Sequence, residues 1–182
     1  MTRLTVYADG DPAVALLDTD DPARIADALA PIGVAFERWQ ASAPLAADAD
    51  AEAVLAAYAP EVARLKQAGG YTTVDVARVT PATPNLEAVR TKFLDEHTHG
   101  EDEVRFFVEG SGAFYLHRDG KVFQVVCHAG DLLSVPAGIP HWFDMGPQPR
   151  FTAIRFFRTP EGWVASFTGD GIAKRFPLYE AA

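Results

Sequence analysis

Up to Glu96 the apolar residues mostly recur at helical spacing; beyond it they alternate with polar ones. RLTVYA (3–8) alternates and predicts a short strand. In DTDDPARIADALAPIG, Asp20 or Asp21 caps a helix with Pro22 in its first turn and Ile25 and Leu29 on its buried side. Pro31 and Gly33 end it. GVAFERWQ (33–40) predicts a second strand. DADAEAVLAAYAPEVARLKQAGG predicts a stronger helix, with Val54, Leu55, Tyr58, Val62 and Leu65 as its apolar face. Its first turn is acidic, its last basic, and Gly69 and Gly70 stop it. Pro60 interrupts this pattern, so a kink or two shorter helices are expected. YTTVDVARVT is strand-like, and TPNLEAVRTKFLDEH predicts a helix opened by a threonine cap and Pro84.

After Glu96 come short β-rich runs separated by turn signals: EVRFFVEG, SGAFYLHRDG, KVFQVVCHAGD, LLSVPAGIPHWFDMG and RFTAIRFFRT. Asp119–Gly120 is a hairpin signal. Strands at this spacing predict an antiparallel sandwich or barrel. With helices gathered in the first half, the class is α+β with a β-barrel body. One domain over 1–182 is expected. Residues 1–92 would form a helix-rich part packed on a core barrel of residues 93–182.

Composition changes this picture little. The chain has 182 residues, 48% hydrophobic and 23% charged, enough for one ordinary core. A net charge of −9 repels phosphate backbones and argues against a nucleic-acid partner. No run approaches the roughly 18 apolar residues of a membrane span, and the N-terminus does not read as a signal peptide. Cys127 is the one cysteine, which excludes an intrachain disulfide and suits a reducing cytoplasm.

The chemistry lies in HTHGEDEVRFFVEG (97–110). In an extended segment His97 and His99 point the same way, about 7 Å apart at the backbone, so both imidazoles can converge on one ion. Glu103 adds a hard oxygen. Imidazole with carboxylate suits iron, nickel, manganese or zinc. Downstream, GDLLSVPAGIPH presents His141 from a loop stiffened by Pro136 and Pro140, with a bend at Gly138. A lone H-x-H is a weak signal; with the glutamate and the later P-x-G-x-x-H it becomes a strong one for a metal. Arg105 lies two residues beyond Glu103 and shares its face on a regular strand; the alternative is a surface arginine. Arg155 is a second cation, or a salt-bridge partner. Asp102 and Glu96 flank the ligands as candidate acceptors for their ring N–H groups. His117 and His128 stand before turns and read as non-ligands. One member of each pair Phe106/Phe107 and Phe156/Phe157 should point inward.

The two stretches resemble the two cupin motifs. G(x)5HxH(x)3E(x)6G is matched by His97, His99, Glu103 and Gly110, with Thr91 in place of the leading glycine. G(x)5PxG(x)2H(x)3N is matched by Gly130, Pro136, Gly138 and His141, with Met145 in place of the asparagine. The wording HTHGEDEVRFFVEGSGAFYLH and VPAGIPHWFDMG resembles the acireductone dioxygenases of methionine salvage, over most of the chain. The resemblance implies a cupin double-stranded β-helix and metal ligation by His97, His99, Glu103 and His141. It implies Fe(2+), with Ni(2+) as the alternative, one ion per chain. Arg105 would bind the ionised substrate, and Phe93, Phe143, Arg155 and Trp163 would line its pocket. The substrates would be 1,2-dihydroxy-3-keto-5-methylthiopentene and O2. Iron would give formate and 4-methylthio-2-oxobutanoate; nickel would give carbon monoxide, formate and 3-methylthiopropanoate. A cytoplasmic monomer is expected. Two rivals are another metal-dependent cupin enzyme and a non-catalytic storage or sensor cupin; the complete ligand set disfavours the second.

Overall fold

The computed structural model describes residues 1–159 and 164–180. Among the described residues, eleven strands form antiparallel ladders that do not close into a ring. β1 (Arg3–Ala8) and β2 (Asp11–Thr19) begin the chain; β3 is Ala35–Arg38 and β4 Thr73–Val79. β5 (His97–Thr98), β6 (Glu103–Arg118), β7 (Lys121–His128), β8 (Asp131–Val135), β9 (His141–Asp144), β10 (Phe151–Phe157) and β11 (Ser166–Phe167) follow. The helices α1 (Pro22–Leu29), α2 (Ala51–Ala57), α3 (Ala59–Gly69) and α4 (Leu86–Thr91) all precede β5. This is the expected α+β cupin arrangement. The line drawn at residue 92 does not divide the sheets, however, because β1 to β4 belong to the same ladders as the later strands.

β6 organises the fold. Its first half pairs with β8 and β10, its second half with β7 and β9. The change of partner falls at Gly110, where φ is 67°. The sequence pattern broke this strand into two runs at the same place; the structure keeps one 16-residue strand bent at that glycine. A Cβ on Gly110 would sit 1.7 Å from the Arg150 carbonyl oxygen. Gly110→Ala therefore combines a left-handed conformation costing about 1–2 kcal/mol with a backbone collision. Its urea midpoint should fall well below that of the parent; an unchanged midpoint would show that the bend tolerates a side chain.

Helix ends follow their residues. The Asp21 carboxylate accepts from Ala23 N and caps α1, whose Ile25 and Leu29 are buried. Pro60 splits the long apolar pattern into α2 and α3, and Gly70 closes the latter with φ 67°. The hairpin turn stands at Asp119 and Gly120, with φ of 53° and 70°. One expectation fails, and one strand was not anticipated. α4 starts at Leu86 behind Asn85, which takes φ 54°. Thr83 does not cap it; its hydroxyl accepts from Thr80 N in a turn before the helix. β2 has no counterpart in the pattern, because it is an edge strand with Val14 and Leu16 exposed.

Three buried clusters hold the layers together. The largest lies between the ladders and includes Ile25, Leu29, Phe107, Phe114, Phe143 and Phe151. A second packs Val54 and Tyr58 of the α2 region on Phe106, Ile154 and Phe156. The third joins Tyr115 and Trp142 to Ile172, Phe176 and Tyr179 near the C-terminus. Covering on both faces explains why all four phenylalanines of the adjacent pairs are buried, not one from each. Phe106 and Phe107 point into different clusters.

Candidate metal centre

β5 and β9 are neighbours, and His97 pairs with His141 across them. His99 follows β5, and its carbonyl accepts from Gly138 N of the P-x-G loop at 3.0 Å. That bond ties the two motifs together. The ligand-type nitrogens of His97, His99 and His141 all lie within 4.8 Å of one another, and all three residues are buried. Glu103, the first residue of β6, faces His99 Nε2 and His141 Nε2 through Oε2, each at 3.0 Å.

The ring hydrogen bonds fix the chemistry of this cluster. Nδ1 of His97 meets the Asp95 carbonyl at 2.8 Å, Nδ1 of His99 the Val164 carbonyl at 3.1 Å, and Nδ1 of His141 the Ile139 carbonyl at 2.7 Å. A carbonyl only accepts, so each Nδ1 carries its proton and donates. A ring protonated at Nδ1 alone carries its lone pair at Nε2. Two of these nitrogens face a carboxylate oxygen at 3.0 Å, a contact that needs a proton or a metal cation between the two atoms. A metal bond of about 2.1 Å at right angles to its neighbour separates two donors by about that distance. The donor set therefore fits a divalent ion. Backbone carbonyls fix the rings, so the expectation of a flanking carboxylate in this role is corrected. Glu96 instead accepts from His117 and Thr168, and Asp102 from Ala137 N and Arg158. His117, expected in solvent, is half-buried on Glu96 at 2.8 Å.

Burial sets the titration of the group. It lowers His97 to about 4, so this imidazole is neutral at physiological pH. Burial alone would lower His141 too, but the hydrogen bond and charge of Glu103 raise it. Burial would raise Glu103; the Arg105 charge, with His141 and His99, holds it well below the usual carboxylate range. Arg105 Nε stands 2.7 Å from Glu103 Oε1. Both side chains are buried.

Arg105 is an interior residue, not a surface one. Its guanidinium carbon lies 4.7 Å from the Phe143 ring centre and 5.1 Å from that of Phe114, in cation–π range. Phe143 needs Gly112: a Cβ there would approach its ring to 2.4 Å. Gly112→Ala should displace the Phe143 ring and lower turnover about 10–100-fold, since misplacements near 1 Å cost that order, while metal content stays at the parent level. Parent kinetics in that variant would free Arg105 from dependence on Phe143.

The other predicted pocket residues lie unequally. Phe93 packs on the main core, and its carbonyl accepts from Phe143 N at 2.9 Å. Arg155 faces Arg105 across the β6–β10 ladder but forms a two-pronged pair with Asp75, at 2.8 and 2.6 Å. Trp163 lies outside the described residues.

An antiparallel two-layer β fold with three histidines and a carboxylate at the meeting of its first and last motifs defines a metal-site cupin. Residues 3–165 match the model of the ARD/ARD' family, and the chain belongs to that family. It is 62% identical over 181 residues to the acireductone dioxygenase of Parvibaculum lavamentivorans, covering 100% of this chain and 98% of that protein. The acireductone dioxygenase of Pseudomonas paraeruginosa is 56% identical over 180 residues, covering 99% of each. Among solved structures, an acireductone dioxygenase from Bacillus anthracis with a cadmium ion in its active centre superimposes with a TM-score of 0.81. It is 31% identical, over 92% of this chain and 98% of that one.

Proposed function

We propose that the chain is a metal-dependent dioxygenase that cleaves 1,2-dihydroxy-3-keto-5-methylthiopentene with O2 in methionine salvage. The observation that carries this reading is the convergence of three Nε2 lone pairs and the Glu103 carboxylate in one buried place. Full-length relatives named acireductone dioxygenase support it. His97, His99, Glu103 and His141 are the proposed ligands, for Fe(2+) or alternatively Ni(2+), one per chain. A divalent ion held there supplies Lewis acidity to the two enediol oxygens of the substrate.

The protein's own groups do the rest. Three neutral imidazoles and one carboxylate leave part of the ion's charge uncompensated, which favours an ionised substrate. Arg105 forms an ion pair with Glu103, and its guanidinium is assigned to the substrate oxygens. As a buried cation it favours the enediolate over the enediol. Phe93, Phe143 and Trp163 are assigned to the methylthio tail, since sulfur packs well on aromatic rings. Arg155, held by Asp75, supports the positive side of the pocket. The proposed working state is a cytoplasmic monomer. No helix among the described residues is long and apolar enough to cross a membrane.

Oxygen uptake tests the substrate assignment. Iron-loaded protein should consume O2 with the acireductone far faster than with ascorbate, an enediol lacking the thioether tail. Equal rates with both would favour a different cupin oxygenase.

A further inference from the structure

We infer that Thr168 and Glu96 are positioning residues for the metal centre, acting through the segment 164–168 and not by touching the ion. The inference rests on the metal reading above. Glu96 is buried one residue before His97, and its carboxylate accepts from the Thr168 hydroxyl at 2.8 Å and from His117 Nδ1 at 2.8 Å. The Glu96 carbonyl accepts from Thr168 N at 3.1 Å. Thr168 is thus bound twice to the residue that leads into the first ligand.

The segment that Thr168 anchors touches two of the three histidines. The Val164 carbonyl accepts from His99 Nδ1. β11 pairs with β5 so that Phe167 lies opposite His97, with the two rings edge to face at 5.8 Å. Among the described residues few other contacts hold this segment. Val164 and Phe167 are 68% and 57% exposed, and β11 has two residues. Beyond Thr168 the chain turns inward: the Thr168 hydroxyl accepts from Asp170 N, Asp170 accepts from Ile172 N, and Ile172 and Ala173 are buried. Thr168 is the joint between a core-bound C-terminal stretch and an exposed strap. That joint helps fix the Val164 carbonyl, the partner that holds His99 Nε2 toward the ion.

A partner behind a metal-bound histidine typically contributes 10–100-fold to metal affinity. The test is the dissociation constant and ligand-field spectrum of Co(2+) bound to the full chain, parent against Thr168→Val. Thr168→Ser keeps the hydroxyl. Thr152→Val is the control, because it removes a threonine–carboxylate bond to Glu109 at 2.7 Å on β10. Thr168→Val should weaken Co(2+) binding by about 10–100-fold and change the spectrum. Thr168→Ser should restore both, and Thr152→Val should leave both at parent values. Parent affinity and spectrum in Thr168→Val, or the same loss in Thr152→Val, would overturn the positioning role. A parent chain that takes up no Co(2+) would overturn the metal reading, and this inference with it.

Discussion

His97→Ala is expected to fold, to retain no metal and to oxidise acireductone no faster than the spontaneous reaction. The fold should survive because His97 contributes no side chain to any of the three apolar clusters. The local cost is small: the Asp95 carbonyl loses its ring partner, but Asp95 is exposed, so water can replace the lost bond. The functional cost is larger. Two imidazoles and Glu103 remain, and loss of a ligand should exceed the about 100-fold that a mere supporting partner contributes. Elemental analysis of the purified variant, with circular dichroism for folding, decides it. One equivalent of tightly held metal in folded His97→Ala would remove His97 from the ligand set.

Arg105→Ala separates metal holding from catalysis. The variant should keep its ion, because all four proposed ligands remain. Turnover should fall about 100–1,000-fold, the usual loss when one preorganised donor to a developing anion is removed. Stability supplies a second readout. Glu103 is buried and depends on Arg105 for its low pKa. Removing one partner of a buried pair costs about 3–5 kcal/mol. The metal-free variant should show that loss in full, and the metal-loaded variant far less of it, because the ion also neutralises Glu103. A variant with unchanged kinetics and equal destabilisation in both forms would make Arg105 a structural residue only.

The cluster of His97, His99, Glu103 and His141 was legible because its residues are reactive types at short, fixed spacing. His97, His99 and Glu103 fall within one turn and strand start, and His141 follows a loop marked by Pro136, Gly138 and Pro140. Helix limits set by Asp21, Pro60 and Gly70 were legible for the same local reason. What escaped was long-range or carried by the backbone. No residue type marks the Val164 carbonyl as the partner of His99, 65 positions away. The Glu96–His117 bond spans 21 positions, and His117 beside a turn signal read as exposed. Alternation misjudged the phenylalanine pairs because it assumes one wet face, and β6 and β10 are covered on both. β2 has neither alternation nor a buried run.

Product analysis of the iron(II)-loaded protein given acireductone and O2 tests the proposed dioxygenase activity. Enzyme-dependent formate and 4-methylthio-2-oxobutanoate are expected, with carbon monoxide appearing when nickel replaces iron. Protein shown to hold one ion, yet giving products no faster than spontaneous oxidation with either metal, would contradict it.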